Sequence, residues 1–445
     1  MRFFYLGNMA IEKIYQHFLK YPLICTDSRK IESNSLFFAL KGGNFNGNEF
    51  ALNALNSGAK FSIVDDVSLK NEEKCIWVED VLNTLQQLAN HHRLQLKIPI
   101  IGITGTNGKT TTKELIACVL KRKYKIVATL GNLNNHIGVP LTLLSLNKDT
   151  DIGIIEMGAN HVGEIDMLCK IAVPDFGLIT NIGKAHLEGF GSFSGVIQAK
   201  TELYKYIESK QGTIFFNADN NLLVDQLSQI KCKKVDYGTS ENNSCKGRQL
   251  DSDQFLKFEV ILKCPSGEEF KKNIQSNLVG AYNLENALAA TCIGNYFGVS
   301  VNDIAEAIND YLPSNNRSQL LQTVNNQLVI DYYNANPSSM EVAIRNFHKL
   351  KQTLDKKVII LGEMLELGNY SSEEHSKLLE LLIKLEFKNV LLVGKEFNVT
   401  SSKGFTLFKD SLELSMYLKR NKIVNSQILI KGSRGVKLEK ALEWL

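Results

Sequence analysis

A chain of 445 residues is too long for one hydrophobic core, and at roughly 150 residues per domain it predicts three domains. With 44% hydrophobic and 22% charged residues the composition excludes a disordered or fibrous chain. The 51 basic residues against 47 acidic ones leave a net charge of +4 without a long block of one sign, so nucleic acid is not implied as a partner.

The first stretch, Met1 to Gly7, is too short for the apolar region of a signal peptide. No later segment approaches about 18 consecutive apolar residues, so a cytoplasmic protein without membrane insertion is expected. Met9 serves equally well as a start, which would make the residues before it an unstructured extension. Cysteines at positions 25, 75, 118, 169, 232, 245, 264 and 292 never form a C-x-x-C spacing. They read as reduced thiols rather than a zinc or disulfide framework.

Up to about Leu96, short strands and helices surround turn chemistry at Lys41-Gly42-Gly43-Asn44 and Asn46-Gly47, the pattern of a small α/β domain. Past His91-His92-Arg93, strand-like runs alternate with helical stretches, at Ile98 to Thr104, Ile152 to Glu156, Phe176 to Ile182 and Thr213 to Phe216. That alternation predicts a parallel sheet. Phe255 to Leu278 predicts appended antiparallel strands around Pro265-Ser266-Gly267. A helix over Asn283 to Phe297 leads to Leu312-Pro313-Ser314-Asn315-Asn316, suited to a hinge. Strand-like runs resume at Leu328 to Asp331, Val358 to Leu361, Val390 to Val393 and Ile428 to Ile430. The expected division is 1–96, 97–312 and 313–445, all α/β, with the parallel-sheet domain in the centre.

The most informative stretch is Gly102-Ile103-Thr104-Gly105-Thr106-Asn107-Gly108-Lys109-Thr110-Thr111, between an apolar strand and a helical run through Leu120. In such a loop the glycines turn backbone N–H groups inward around phosphates and the helix N-terminus adds positive potential. Lys109 would neutralise the terminal phosphates and Thr110 would offer a hydroxyl to Mg²⁺. Ile103 stands where the usual G-x-x-x-x-G-K-[ST] pattern has its first glycine. Nucleotide binding follows from this context, but the loop serves switches, transporters, kinases and ligases alike.

Gly105 to Thr111 resembles the loop of the Mur ligase family, and further blocks similar to that family follow over nearly the whole chain. They are Thr26-Asp27-Ser28-Arg29, Asn132-Leu133-Asn134-Asn135, Glu156-Met157-Gly158-Ala159, Asn181-Ile182-Gly183-Lys184-Ala185-His186, Tyr333-Asn334-Ala335-Asn336-Pro337, Leu361 to Gly368, and Lys431-Gly432-Ser433-Arg434. The resemblance implies a first domain for a UDP-sugar, a central ATPase domain and a C-terminal dinucleotide-fold domain that closes over the site. Within the family it points to the branch that joins D-alanyl-D-alanine to a UDP-N-acetylmuramoyl-tripeptide, using ATP and Mg²⁺. The protein is expected to act as a monomer.

The resemblance also implies residue roles. Ser28 and Arg29 would contact the uridine diphosphate end, while Asn134, Asn135, Asn334 and Asn336 would serve the substrates. Gly105, Thr106, Asn107, Gly108, Lys109, Thr110, Thr111, Asn283 and Asn286 would bind the nucleotide. Arg317 would reach its γ-phosphate and Asp331 its ribose or nearby adenosine. Thr110, Glu156, His186 and a CO₂-carbamylated Lys200 would hold Mg²⁺, with Lys109, Lys200, His186 and Arg317 as the catalytic set. By residue type alone, Glu156 reads as a solvated strand-end charge, His186 as structural and Lys200 as a solvated helix lysine. Yet Lys200 lies four residues after Val196 and three before Leu203, on the apolar face of a predicted helix, where burial favours the neutral amine that reacts with CO₂.

Three departures from the family pattern stand out. Phe45-Asn46-Gly47-Asn48 replaces Phe-Asp-Gly-His, Tyr282 replaces a histidine in Gly280-Ala281-Tyr282-Asn283-Leu284-Glu285-Asn286, and Thr201 replaces the glycine after Lys200. Competing readings are the ligase that adds the diamino acid, whose Asp-Asn-Pro-Arg type motif is absent, and folylpolyglutamate synthases, which lack the first domain. A nucleotide switch that makes no bond is the alternative from another class.

Overall fold

The computed structural model describes residues 2–251, 254–263, 269–313, 316–399 and 404–445. The chain divides into two compact units. One comprises Met1–Ile103, Tyr124–Gly158 and Glu164–Gly177, the other Thr104–Lys123, Ala159–Gly163 and Leu178–Leu445. The division passes through two strands, Ile100–Thr104 and Phe176–Ile179.

In the first unit the residues before Met9 belong to a helix, Arg2–Lys20, rather than to an unstructured extension. Four short parallel strands follow, Ile24–Cys25, Leu36–Phe38, Phe61–Val64 and Cys75–Trp77, paired in that order. Phe37, Ala39, Ala51, Ala54 and Val64 form their core. Helix Val81–Leu96 starts at Asp80, whose carboxylate accepts the Asn83 N–H at 2.7 Å, and ends at Lys97 in the left-handed region. Its buried Arg93 donates to the carbonyl of Ala172 at 3.1 Å and to the Asp175 carboxylate at 2.8 Å. Strand Ile152–Glu156 lies between Ile126–Ala128 and Ile100–Thr104, all parallel. Its five residues are all buried, as expected of a strand covered on both faces.

The second unit carries the expected strand Thr213–Asn217, followed in parallel by Lys233–Gly238 and Cys245–Leu250. The expected antiparallel pair is Phe255–Lys263 with Glu269–Val279. Leu256, Phe258, Val260 and Leu262 point inward while the residues between them are more exposed, the period of two that a one-sided sheet requires. The turn at Pro265-Ser266-Gly267 lies outside the described residues. A second sheet has the order Gln319–Gln322, Asn326–Asp331, Ser426–Lys431, Lys357–Gly362, Asn389–Val393 and Thr406–Phe408. Only its first pairing is antiparallel. Leu328, Ile330, Val358, Ile360, Val393, Ile428 and Ile430 fill its core. The expected hinge at Leu312 to Asn316 is described only in part, since Ser314 and Asn315 lie outside the described residues.

Candidate active site

The phosphate loop forms where the sequence requires two residues that only glycine tolerates. Gly105 has φ +144 and Gly108 φ +78. A Cβ on the first would fall 2.0 Å from Thr180 Oγ1, and on the second 2.6 Å from Asn286 Oδ1. Helix Lys109–Leu120 then begins at Gly108, which has no side chain to cap it, and a helix N-terminus of this kind attracts an anion. Segment 180–183 braces the loop. Asn181 accepts the N–H of Thr106 on its carbonyl and of Asn107 on its side chain, both at 2.9 Å, and Thr180 Oγ1 donates to the Asn107 carbonyl at 2.6 Å.

The Lys109 ammonium folds over the loop, donating to the carbonyls of Gly105 at 2.7 Å and Thr106 at 3.0 Å. Thr110 and Thr111 are buried. Asn283 and Asn286 lie on one face of helix Asn283–Tyr296, with Asn286 donating to Asn283 at 2.9 Å and accepting from Thr112 Oγ1 at 2.9 Å. Both amides are buried, and Asn286 packs on Gly108 of the loop.

His186 sits just beyond the bracing segment, in the left-handed region at φ +49. Its Nδ1 is hydrogen-bonded to the Glu366 carboxylate, and this histidine holds Glu366 below the ordinary carboxylate range. Nearby, Lys184 donates through its ammonium to Glu374 at 2.7 Å and through its backbone N–H to Ser338 Oγ at 3.1 Å. Glu366 and Glu374 carry no role in the sequence reading; only the block Leu361 to Gly368 signalled the first.

The backbone bearing Glu366 depends on a buried histidine. His375 accepts the Met364 N–H on Nε2 at 3.0 Å and donates from Nδ1 to the Ser371 carbonyl at 2.8 Å, so the ring is neutral here. Burial lowers its pKa below 6.5. A depressed histidine contributes stability that is present above the unfolded value and lost as pH falls through the folded one. The melting temperature should therefore fall as the pH drops below about 6.5, and His375→Gln should flatten that fall. Thermal melts of both chains across this range check it.

Lys200 is buried, 2% exposed, on helix Phe193–Ser209 beside buried Val196, Ala199 and Leu203, as the periodicity predicts. Its ammonium lies 5.5 Å from the Phe190 ring centroid. Thr201 turns its hydroxyl back to the carbonyls of Ile197 and Gln198.

In the C-terminal part of this unit, the Arg317 guanidinium stacks 3.9 Å from the centroid of Tyr333, and its Nε has no hydrogen-bond partner among the described residues. Asp331 pairs at 2.6 Å with Lys431, a lysine only 2% exposed that the sequence reading named in a block but gave no role. Asn334 is exposed, its side chain accepting the Ala335 N–H at 2.9 Å. Asn336 is buried and caps helix Pro337–Lys349, forming a reciprocal box with Ser339, while its Nδ2 donates to Asn107 of the phosphate loop at 2.8 Å. Asn336→Ala should cost about 1 to 2 kcal/mol, from the lost cap and the lost contact to Asn107, read as a lower urea midpoint. Tyr282, the departure from histidine, is bonded through its hydroxyl to Ser318 Oγ at 2.6 Å.

The remaining candidates lie in the first unit. Arg29 is exposed and forked onto Asp27, with two contacts of 2.8 Å, and Ser28 lies between them in sequence. That guanidinium holds the Asp27 carboxyl at about 2. Asn48, the other departure from histidine, is buried and joins Asn46 and Asp65. Glu156 ends its strand buried, not solvated; its Oε1 accepts from Asn134 Nδ2 at 2.8 Å. Asn135 accepts the N–H groups of Ile137 and Gly138 ahead of helix Gly138–Leu144.

Among the described residues no three His, Cys, Asp or Glu side chains converge as a metal site. The donors expected for Mg²⁺ are a hydroxyl, a carboxylate, an imidazole and a lysine. Such a set suits a hard cation only once the lysine carries an anionic oxygen.

Parallel sheets with a glycine-framed loop at a strand-to-helix turn define a phosphate-loop α/β protein. Residues 20–93 match the Mur ligase family catalytic domain, 103–294 the Mur ligase middle domain and 316–423 the Mur ligase glutamate ligase domain. The UDP-N-acetylmuramoyl-tripeptide--D-alanyl-D-alanine ligase of Bacillus subtilis is 34% identical over 440 residues, covering 94% of this chain and 92% of that protein. MurF from Acinetobacter baumannii superimposes with a TM-score of 0.85 at 30% identity, covering 94% of this chain and 92% of that one. MurF ligase from Thermotoga maritima, solved in complex with ADP, gives 0.83 at 27% identity over 95% and 96%. The chain belongs to the Mur ligase family.

Proposed function

We propose that the chain joins D-alanyl-D-alanine to the terminal carboxylate of UDP-N-acetylmuramoyl-tripeptide with consumption of ATP, in the synthesis of peptidoglycan precursors. The observation that carries this reading is the full-length similarity to ligases named for that reaction, together with a glycine-framed phosphate loop bearing Lys109. The boundaries 96/97 and 312/313 divide it into a UDP-substrate domain, an ATP domain and a closing domain. ATP and a UDP-linked precursor are cytoplasmic metabolites, so we place the protein in the cytoplasm, acting as a monomer.

An amide cannot form from a carboxylate and an amine at a useful rate without activation. The tripeptide carboxylate attacks the γ-phosphorus of ATP, ADP leaves, and an acyl phosphate results. The neutral amine of the dipeptide then attacks the acyl carbon, losing a proton as phosphate departs. No protein nucleophile takes part. The chain supplies position and positive charge: Lys109 and the helix N-terminus at the phosphates, Arg317 at the transferring phosphoryl group. The other residues of Gly105 to Thr111 line the nucleotide phosphates, with Asn283 and Asn286 shaping the loop and Asp331 on the ribose side. Ser28 and Arg29 take the uridine diphosphate, while Asn134, Asn135, Asn334 and Asn336 border the peptide substrates.

Thr110, Glu156, His186 and carbamylated Lys200 would hold Mg²⁺, which supplies charge neutralisation at the phosphates. Glu366 fixes the orientation of the His186 ring. Phosphate release measured with each substrate omitted in turn tests the reading. It should require ATP, the UDP-tripeptide and the dipeptide together; release that ignores the peptide substrates would indicate a nucleotide switch instead.

A further inference from the structure

We propose that Arg434 anchors the free carboxylate of the incoming dipeptide; this rests on the ligase reading above. Strand Ser426–Lys431 runs beside Lys357–Gly362, and the chain leaves it through Gly432, where a Cβ would lie 2.9 Å from the Gly362 Cα. Ser433 Oγ then accepts the Leu365 N–H at 3.0 Å. This crossing fixes the turn Arg434–Val436 at the carboxyl ends of the parallel strands, the place where open α/β sheets bind ligands.

Arg434 is exposed, and its guanidinium carbon lies 5.4 Å from the centroid of Tyr333, the same ring that Arg317 approaches to 3.9 Å. The two cationic centres can be no farther apart than those distances together. Among the described residues neither has a carboxylate within ion-pairing distance, and Arg317 Nε has no hydrogen-bond partner. Two guanidiniums sharing one aromatic ring without an acid repel each other and suit bidentate recognition of anions.

The reaction brings two anions together. One is the phosphoryl group at Arg317; the other is the free carboxylate of the dipeptide, whose amine attacks the carbon bonded to that phosphoryl group. In an extended dipeptide the carboxylate lies about 7 Å from the amine, within the largest separation that the two distances to the Tyr333 ring allow between Arg317 and Arg434. Arg434 therefore selects acceptors that end in a carboxylate at the second residue. A single D-alanine stops one residue short, and a dipeptide amide lacks the charge.

Steady-state kinetics of the full chain test this with D-alanyl-D-alanine, its C-terminal amide and D-alanine as acceptors. Arg434→Ala should raise KM for the dipeptide on the order of 10- to 100-fold, with KM for ATP and for the UDP-tripeptide within about twofold of the parent. Arg434→Lys should recover part of the loss. The parent should prefer the dipeptide to its amide, and Arg434→Ala should use the two equally. An unchanged dipeptide KM, a preference for the acid that survives in Arg434→Ala, or a rise confined to ATP would overturn the assignment. Failure of the parent chain to ligate any acceptor would overturn the ligase reading itself, and is seen before any variant is compared.

Discussion

Lys109→Ala should lose at least about a thousandfold in ligation rate while its affinity for the UDP-tripeptide stays within about twofold of the parent. The size follows from where charge accumulates. The γ-phosphoryl group carries negative charge through transfer, and Lys109 is the loop's own ammonium, at the first residue of the helix that follows Gly108. That ammonium donates to the carbonyls of Gly105 and Thr106, which hold it at the loop. Removing it leaves the backbone cradle and takes away the neutralising charge. The UDP-substrate candidates Ser28 and Arg29 belong to the other compact unit, so their contacts are untouched. Single-turnover kinetics together with a titration of the UDP-tripeptide check the two halves separately. Turnover comparable to the parent would remove Lys109 from the mechanism.

Lys200→Ala should be slowed about 100- to 1000-fold and partly rescued by acetate. A buried lysine with its helix face among Val196, Ala199 and Leu203 lies away from bulk water, the kind of setting that the proposed modification requires. A carbamate there would turn a cation that repels Mg²⁺ into an anion that attracts it, and a small carboxylate would enter the space left by the side chain. Two observations check this: acetate dependence of the variant, and a carbamate signal in carbon-13 NMR of the parent in labelled bicarbonate that the variant lacks. Parent-like activity of Lys200→Ala without bicarbonate would refute the role.

What the sequence made legible was whatever repeats with a period or is dictated by one residue type. The buried runs Ile152–Glu156 and Lys357–Gly362 appear as strands because continuous apolar character reports burial on both faces. The burial of Lys200 was likewise readable from its spacing to Val196 and Leu203. Edge strands were harder: Gln319–Gln322 and Thr406–Phe408 are short, and their half-polar composition gives no period to detect. Pairings across long sequence separation were invisible. Lys431 stands 100 residues from Asp331 and Glu366 stands 180 from His186, so no local pattern could announce either pair. Asn336 and Asn135 show the converse. Both were singled out as substrate contacts, and both also have local work at the start of a helix, which residue type alone could not reveal. The substitutions at Tyr282 and Asn48 became interpretable only once their partners Ser318 and Asp65 were in place.

In the proposed reaction ATP activates the tripeptide carboxylate as an acyl phosphate before the dipeptide amine attacks. Oxygen-18 placed in that terminal carboxylate reports on it directly. One labelled oxygen should appear in each inorganic phosphate released, in step with formation of the UDP-linked pentapeptide. Pentapeptide formed alongside unlabelled phosphate would contradict the account.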